Sequence, residues 1–249
     1  MTDITEAMPA PPVEASPVLE IDAGGVQYRE LNNRLRKAAV SGVRSIVVRN
    51  VQGQRYIGTG LDRPVALEVH GHPGDDLGAY IDGPSIDVRG DVRDGCGYTM
   101  RGGEIVVHGG AGDILAWSAR GGCIFVRDDA GRRAGIRMTG GRDGGPVVVI
   151  GGTAQDFLAE YMAGGVLVIL GLAVKDGQPH AAGSIGNGMQ GGVVFVRGPV
   201  EDRQLGREVA RAPLDESDRR ELRRCVAEFA HRFGLDAEPI MEGEFTKLV

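Results

Sequence analysis

The chain has 249 residues, of which 41 are glycine, so glycine makes up about one residue in six against a usual share of about 7%. Proline accounts for only 12 residues and 42% of the residues are hydrophobic, which excludes a disordered low-complexity chain. The formal net charge of −6 gives no support for general binding to nucleic acid or to an acidic membrane. No stretch approaches the roughly 20 apolar residues of a membrane-spanning helix, and the length fits one large domain or two small ones.

The N-terminal part predicts a disordered tail and a short helical lead-in. Residues 1–20 are rich in Pro, Ala and Glu and have neither the basic start nor the apolar segment of a signal peptide. Residues 28–40 form a predicted amphipathic helix that ends at Gly42, and its apolar face consists of Leu31, Leu35, Ala38 and Ala39. Two further runs, 45–49 and 55–60, are predicted strands.

A repeat dominates residues 67–198. Seven short apolar runs end at positions 71, 90, 109, 128, 151, 171 and 198, so that the steps are 19, 19, 19, 23, 20 and 27 residues. A glycine corner, usually Gly-Gly, precedes six of the runs, and this spacing is too short for a βαβ unit, which needs about 30 residues. The period therefore predicts an all-β fold, a parallel β-helix of about seven turns of ~19 residues with short N-terminal and C-terminal helices.

Two columns of aliphatic residues are predicted to point into this helix. The first column consists of Leu67, Ile86, Ile105, Ile124, Val147, Leu167 and Val194. The second consists of Val69, Val88, Val107, Val126, Val149, Ile169 and Val196. All fourteen are aliphatic, as a side-chain period of two over a buried interior requires.

The outward residue between the two columns is acidic twice and then apolar five times. It reads Glu68, Asp87, Val106, Phe125, Val148, Val168 and Phe195. A solvated face is not apolar over five turns, so another segment of this chain or a partner is expected to cover it. The candidate in this chain is a helix capped by Asp215 and ending near Phe233, in a C-terminal extension over residues 201–249.

The next outward position carries four basic or titratable side chains in the first four turns. They are His70, Arg89, His108 and Arg127. The preferred interpretation is a solvated column partnered by acids such as Glu68 and Asp87, and the alternative is a surface for an anionic ligand or an acidic partner. The longer loop 172–184 is a second place where contacts could form.

No residue pattern predicts catalysis, cofactor binding or a metal centre in this chain. The glycine pairs 95–97 and 186–188 lie in turns of a β-repeat and do not open a helix, so they are not a dinucleotide fingerprint. A zinc site from His70, His72 and Asp75 or Asp76 is a minor alternative, and so is a carbohydrate-active site built on acidic pairs.

The cysteines and the one tryptophan have equally plain interpretations. Cys96, Cys123 and Cys225 are too far apart and odd in number for a disulfide framework, which favours a reduced, cytoplasmic setting. Cys96 and Cys123 are predicted to be small buried residues. Trp117 is predicted to be a packing or interface residue.

Beyond these patterns, the chain resembles a known family. The run Arg29–Leu35 (RELNNRL) is followed by repeated copies of a G-x-x-G-x-x-M-x-G-G pattern, with clear examples at 95–109, 130–141, 157–171 and 183–198. This arrangement is similar to the GXGXG domain of glutamate synthase over residues 26–249, and the ending FTKLV resembles the free-standing archaeal-type version. The resemblance implies a right-handed parallel β-helix, here over residues 21–200.

In glutamate synthases this domain is not the catalytic part, so the resemblance implies a scaffold subunit. The expected partners are a glutaminase-type amidotransferase subunit and an FMN-binding glutamate synthase subunit with an iron–sulfur centre, which leaves no cofactor on this chain. A homo-oligomer is a further expectation; no nucleic acid or membrane is expected as a partner. Related complexes, such as N-methylglutamate synthase and formylmethanofuran dehydrogenase, remain alternatives, as does a stand-alone β-helix enzyme or ligand binder.

Overall fold

A computed structural model describes residues 18–140, 144–175 and 178–249 as one continuous stack of strands. Nine strands lie parallel and in chain order: β1 (Val18–Asp22), β2 (Ser45–Gln52), β3 (Ala66–His72), β4 (Ser85–Arg89), β5 (Glu104–Val107), β6 (Cys123–Val126), β7 (Val147–Ile150), β8 (Ala163–Ile169) and β9 (Gly191–Arg197). About six full coils of chain run from β3 to β9, which confirms the parallel β-helix with slightly fewer turns than predicted.

The remaining elements lie at the start of the stack and in the C-terminal segment. They are α1 (Tyr28–Val40), a 3-10 helix (Asp202–Gln204), β10 (Arg211–Ala212), α2 (Glu216–Phe233), α3 (Ala237–Met241) and β11 (Phe245–Leu248). β11 pairs with β9 in antiparallel orientation, and β10 then pairs with β11. The C-terminal segment thereby continues the sheet beyond its last parallel strand.

The N-terminal lead-in differs from the prediction in two places. Residues 18–20 of the predicted tail belong to β1, which pairs with β2, whereas residues 1–17 lie outside the described residues. Residues 55–60 are not a strand, because Tyr56, Gly58 and Gly60 all have positive φ. They form a turn of the same kind as those further along the chain. The amphipathic helix is confirmed as α1, and its predicted apolar residues are buried.

The interior consists of the two predicted aliphatic columns, with one correction. Ile86, Ile105 and Ile124 align in register, but the residue of β7 that pairs with Ile124 is Val148 and not Val147. Val148 and Ile150 therefore point inward, whereas Val147 and Val149 point outward. The step from β6 to β7 is thus one residue longer than the ends of the runs suggested, and a one-residue shift exchanges the two faces of a strand.

Left-handed residues define the turn that precedes each strand from β3 onward. Each turn has positive φ at three alternate positions; in the third turn these are Gly95, Gly97 and Thr99. We call these segments repeat turns and number them 1 to 7: residues 56–61, 76–81, 95–100, 114–119, 133–138, 157–162 and 184–189.

The alternating conformation points successive amides to opposite neighbours in the stack. In repeat turn 3 the N–H groups of Gly95 and Thr99 donate to carbonyls of turn 4, at 3.0 and 2.8 Å, whereas the N–H of Gly97 donates to the carbonyl of Leu77 in turn 2, at 2.9 Å. Repeat turns 2 to 6 are therefore each hydrogen-bonded to the neighbouring coils on both sides, as the buried backbone groups of a stacked coil require.

The C-terminal helix covers the apolar outward column, as predicted for this chain. The side chain of Asp215 accepts a hydrogen bond from the N–H of Asp218 at 2.8 Å, and α2 ends at Gly234 in the left-handed conformation. Residues of α2 bury the face formed by Val106, Phe125, Val149, Val168 and Phe195. The apolar face that suggested a possible partner is thus occupied by the chain itself.

Two ion pairs fix α2 on the sheet. Arg232 Nη2 lies 2.7 Å from Glu104 Oε2 on β5, and Lys247 Nζ on β11 lies 2.6 Å from Asp218 Oδ2. The second pair is mostly shielded from water, at 15% and 14% exposure of the two side chains. The cover therefore has polar contacts at both ends in addition to its apolar contact.

Candidate functional site

Beside the part covered by α2, the strands carry a cluster of acidic and basic side chains that we call the strand ladder: Glu68, His70, Asp87, Arg89 and His108. His70 Nε2 lies 2.9 Å from Glu68 Oε1, Arg89 Nε lies 3.0 Å from Asp87 Oδ1 and His108 Nε2 lies 3.2 Å from Asp87 Oδ2. Each basic group has an acid within the cluster. This arrangement supports the solvated-column interpretation over an anion site.

The fourth member of the predicted column is separate from this cluster. Arg127 pairs with the adjacent Asp128 at 3.0 Å and is half exposed. His108 packs its ring edge against Phe233 of α2, with 5.3 Å between ring centres. The structure therefore brings three of the four predicted residues together and places Arg127 apart.

The repeat turns carry a second outward surface, which the sequence analysis did not identify as one surface. We call it the turn face; it consists of the outward side chains of repeat turns 1 to 6 and the residue before each turn. The rings of Tyr80 and Tyr98 meet in an edge-to-face arrangement at 5.1 Å between ring centres, and those of Tyr98 and Trp117 are tilted by 34° at 5.0 Å. Tyr80 is 43% exposed, so part of this aromatic row faces solvent.

Arginines extend the turn face towards the C-terminal end of the stack. The guanidinium of Arg133 lies 4.8 Å from the ring centre of Phe157, and that of Arg137 lies 5.8 Å from the ring centre of Tyr161. Tyr161 is 50% exposed. An alignment of the repeat turns could have identified this surface, because its aromatic residues recur at equivalent positions of the turns while the strands carry Val and Ile.

Aspartates beside the turns have structural partners. Five of them accept a hydrogen bond at Oδ1 from a backbone N–H of the next coil, over 2.6–2.9 Å: Asp91, Asp94, Asp113, Asp129 and Asp156. These carboxylates link neighbouring coils of the stack and are not arranged as a catalytic pair. Asp76 differs, because burial and the neighbouring Asp75 raise its pKa above the usual value.

The thiols are unsuited to nucleophilic chemistry at neutral pH. Burial raises the pKa of Cys96 to about 12, and burial followed by the charge of Glu221 raises the pKa of Cys225 to about 12. Burial also raises the pKa of Cys123, which is only partly buried beneath α2. Thiols with raised pKa remain protonated, and the thiolate is the reactive form.

The residues considered for zinc do not converge in the described parts of the chain. No group of three or more His, Cys, Asp or Glu side chains suited to a metal occurs among residues 18–140, 144–175 and 178–249. Asp75 is paired with Arg55 at 2.6 Å, and His72 Nδ1 lies 3.9 Å from Asp91 Oδ2. No helix in the same ranges is long and apolar enough to cross a membrane.

The loop 172–184, of which residues 176–177 lie outside the described residues, borders a cavity of about 510 Å³. Its lining includes Lys175, Arg197, Glu244 and Thr246. His180 is buried beside it; its Nε2 lies 2.7 Å from the carbonyl oxygen of Arg197, and burial lowers its pKa. The wall therefore offers both signs of charge to a small polar molecule.

A stack of parallel strands with left-handed turns and structural aspartates defines the class of parallel β-helix proteins. The sequence matches the family described as "GXGXG motif" over residues 33–248. It is also 42% identical over 236 residues to a protein of Methanocaldococcus jannaschii described as "Uncharacterized protein MJ1350", and the alignment covers 92% of this chain and 90% of that protein. The chain belongs to the GXGXG family, which confirms the resemblance seen in the sequence.

Proposed function

We propose that this chain is a non-catalytic scaffold subunit of a glutamate synthase-type complex, in which other chains carry out glutamine hydrolysis and the flavin-dependent reduction. Membership of the GXGXG family over residues 33–248 is the observation that carries this proposal. A glutaminase-type amidotransferase chain and an FMN-binding chain with an iron–sulfur centre are the partners we expect, in the cytoplasm.

The chemistry of the described residues supports a role without catalysis. The three thiols have raised pKa values, the basic groups of the strand ladder lie against its own acids, and five aspartates beside the turns accept hydrogen bonds from the backbone. A stack that hydrogen-bonds every coil to both neighbours is rigid, and rigid stacks present long surfaces to other proteins. This combination suits a subunit that holds catalytic chains at fixed positions.

Purification of the tagged chain from its native host tests the proposal. We expect an amidotransferase-type chain and a flavin-containing chain to co-purify in constant ratio, together with the absorbance of oxidised flavin, and glutamine-dependent glutamate formation only in the assembled complex. Recovery of the chain alone from gently lysed cells would contradict the proposal. Co-purification with subunits of an N-methylglutamate synthase or a formylmethanofuran dehydrogenase would replace it by a related complex.

A ligand-binding function is the second candidate, and the cavity beside Lys175 and Arg197 is the observation that favours it. A small anion that binds there should raise the melting temperature of the purified chain. Glutamate, 2-oxoglutarate and phosphate are suitable probes, and Lys175→Ala is the variant that should remove the shift. An unchanged melting temperature with all three probes would count against this candidate.

A further inference from the structure

We propose that two copies of the chain associate through their turn faces, about a two-fold axis that crosses the stack between repeat turns 3 and 4. The inference starts from the exposed aromatic and charged residues of this surface, of which Tyr56, Tyr80 and Tyr161 are each at least 37% exposed. It does not depend on the proposed scaffold role, because a dimer forms from this chain alone.

Symmetry determines which residues meet. A two-fold axis that lies in the interface and perpendicular to the stack keeps each column of the turn face opposite the same column of the second copy, but reverses its order. Repeat turn 3 then faces turn 4, turn 2 faces turn 5 and turn 1 faces turn 6. Such an interface is isologous, so every contact occurs twice.

The charges of the turn face are complementary under this reversal. Asp75 and Asp76 lie at turn 2, and the residues at the same two positions of turn 5 are Arg132 and Arg133. Within one chain the two pairs are three coils apart, about 14 Å at the usual strand spacing, so they do not contact each other. One member of each pair has a partner in its own chain: Asp75 lies 2.6 Å from Arg55, and Arg133 lies 3.1 Å from Glu160. In the reversed dimer each aspartate faces an arginine of the second copy.

The aromatic residues are complementary in the same arrangement. Tyr98 and Trp117 occupy the same column in turns 3 and 4, so each faces the other residue type across the axis. Tyr80 of turn 2 faces Arg137 of turn 5, which is a cation–π pairing. Tyr, Trp and Arg are the residue types that contribute most to binding at protein interfaces.

Side-chain sizes also alternate as a close contact requires. Tyr161 of turn 6 faces Gly60 of turn 1, and Ile114 of turn 4 faces Gly95 of turn 3. The other two-fold arrangement, with its axis along the stack, keeps each turn opposite the same turn and exchanges its two ends. Turn 2 would then face turn 2, which holds no arginine, and Arg133 of turn 5 would face Arg137. Electrostatics therefore selects the reversed arrangement.

Like charges meet at two places in this arrangement. Arg101 faces Arg120 directly after the turns, and Asp94 faces Asp113 in the column that also holds Asp75 and Arg132. All four residues are exposed, so water and salt weaken these repulsions. Asp76 and Arg133 lie one column nearer to the aromatic row, and we expect the pairs between turns 2 and 5 to decide the orientation.

The first test measures the molar mass of the purified full-length chain by sedimentation equilibrium over a dilution series. We expect a dimer with twice the 26.3 kDa of one chain. The double variant Arg132→Glu/Arg133→Glu places glutamates against Asp75 and Asp76 and should weaken association about 100-fold or more. A monomer at every concentration of the unaltered chain, or an unweakened dimer of the variant, would overturn the proposal.

Mixing provides a sharper second test. The variant Asp75→Arg/Asp76→Arg should also be monomeric, because it places four arginines on one face. An equimolar mixture with the glutamate variant should form a mixed dimer, since at both ends of the interface an acidic pair then meets a basic pair. Absence of the mixed dimer, when both variants are folded by circular dichroism, contradicts the reversed arrangement.

The matched control and an independent signal come from the same chain. Arg219→Glu/Arg220→Glu makes the same charge change on exposed residues of α2 and should leave the dimer intact. Trp117 is the only tryptophan, so its emission should shift to longer wavelength on dilution with the midpoint of the mass change. If the arginine variant of Asp75 and Asp76 does not fold, this shift decides, and a tryptophan spectrum independent of concentration overturns the proposal.

Discussion

Replacement of Gly97 by alanine should destabilise the β-helix by about 2–5 kcal/mol, although it adds only one methyl group. Gly97 has φ of +70°, where alanine costs about 1–2 kcal/mol. Its new Cβ would also lie 2.3 Å from Ile124 Cδ1 in the interior, and such overpacking costs about 1–3 kcal/mol. The two costs have separate origins and can be measured separately.

The chain itself suggests how the overlap is avoided. Gly78 and Gly97 face the Cδ1 atoms of Ile105 and Ile124, whereas repeat turn 4 carries Ala116 at the same position. The interior residue in the corresponding place for that turn is Val148, which has no δ carbon. Repeat turn 6 likewise has alanine at this position, and valine follows in β9.

A double-mutant cycle tests this relation by urea denaturation. Ile124→Val alone should cost about 0.5–1.5 kcal/mol, and in combination with Gly97→Ala the loss should fall short of the sum by about 1–3 kcal/mol, because the overlapping atom is gone. Gly25→Ala is the control: it has φ of +69°, lies outside the turn face and has no atom within 4 Å of the new Cβ, so only the backbone cost remains. Equal losses for the two alanines, or simple additivity in the cycle, would refute the reasoning.

Two further predictions concern α2 and the buried thiols. Phe229→Ala should cost about 3–5 kcal/mol and expose the column that includes Phe125 and Phe195, which binding of the dye ANS would report; an unchanged stability would show that α2 is not the cover of this face. The pKa of the Cys96 thiol rises from 9.0 to about 12 on folding, so its contribution to stability is complete below about pH 9 and is lost towards pH 12, at about 1.4 kcal/mol per pH unit. Between pH 8 and pH 10 the stability of Cys96→Ala should fall by about 1.4 kcal/mol less than that of the unaltered chain, whereas parallel curves from urea titrations would contradict it.

The strict part of the repeat could be read from sequence because one residue in two is buried aliphatic and the period does not change. Between 67 and 126 the step is constant, so a pattern of alternation fixes which residues point inward. The same reasoning fails for β7, because the run Val147–Ile150 is apolar at every position and fits either register. The outward face of β7 is buried by α2, so only the pairing of β7 with β6 shows which valine points inward.

The turns were harder to predict because glycine is neither a necessary nor a sufficient signal for positive φ. Residues 55–60 contain two glycines and read as a strand, while repeat turns 4 and 6 contain no glycine and keep the same three left-handed positions. Ile114 at φ of 55° carries a strain that hydrogen bonds to both neighbouring coils compensate. The hydrogen bonds with the neighbouring coils impose this conformation on a residue type that rarely adopts it.

The same stacking explains why function could be located less well than fold. A solenoid requires apolar side chains in its inward columns, whereas the outward positions can vary from coil to coil. A prediction based on the repeat period does not use that variation. On the strands the variation produced an acid-base ladder and an apolar face that α2 covers. On the turns it produced aspartates at turn 2 and arginines at turn 5, with aromatic residues between them. A surface whose charge changes sign along the stack can match a reversed copy of itself. The order of acidic and basic residues along the outward columns, rather than any single residue, therefore determines how two copies could associate.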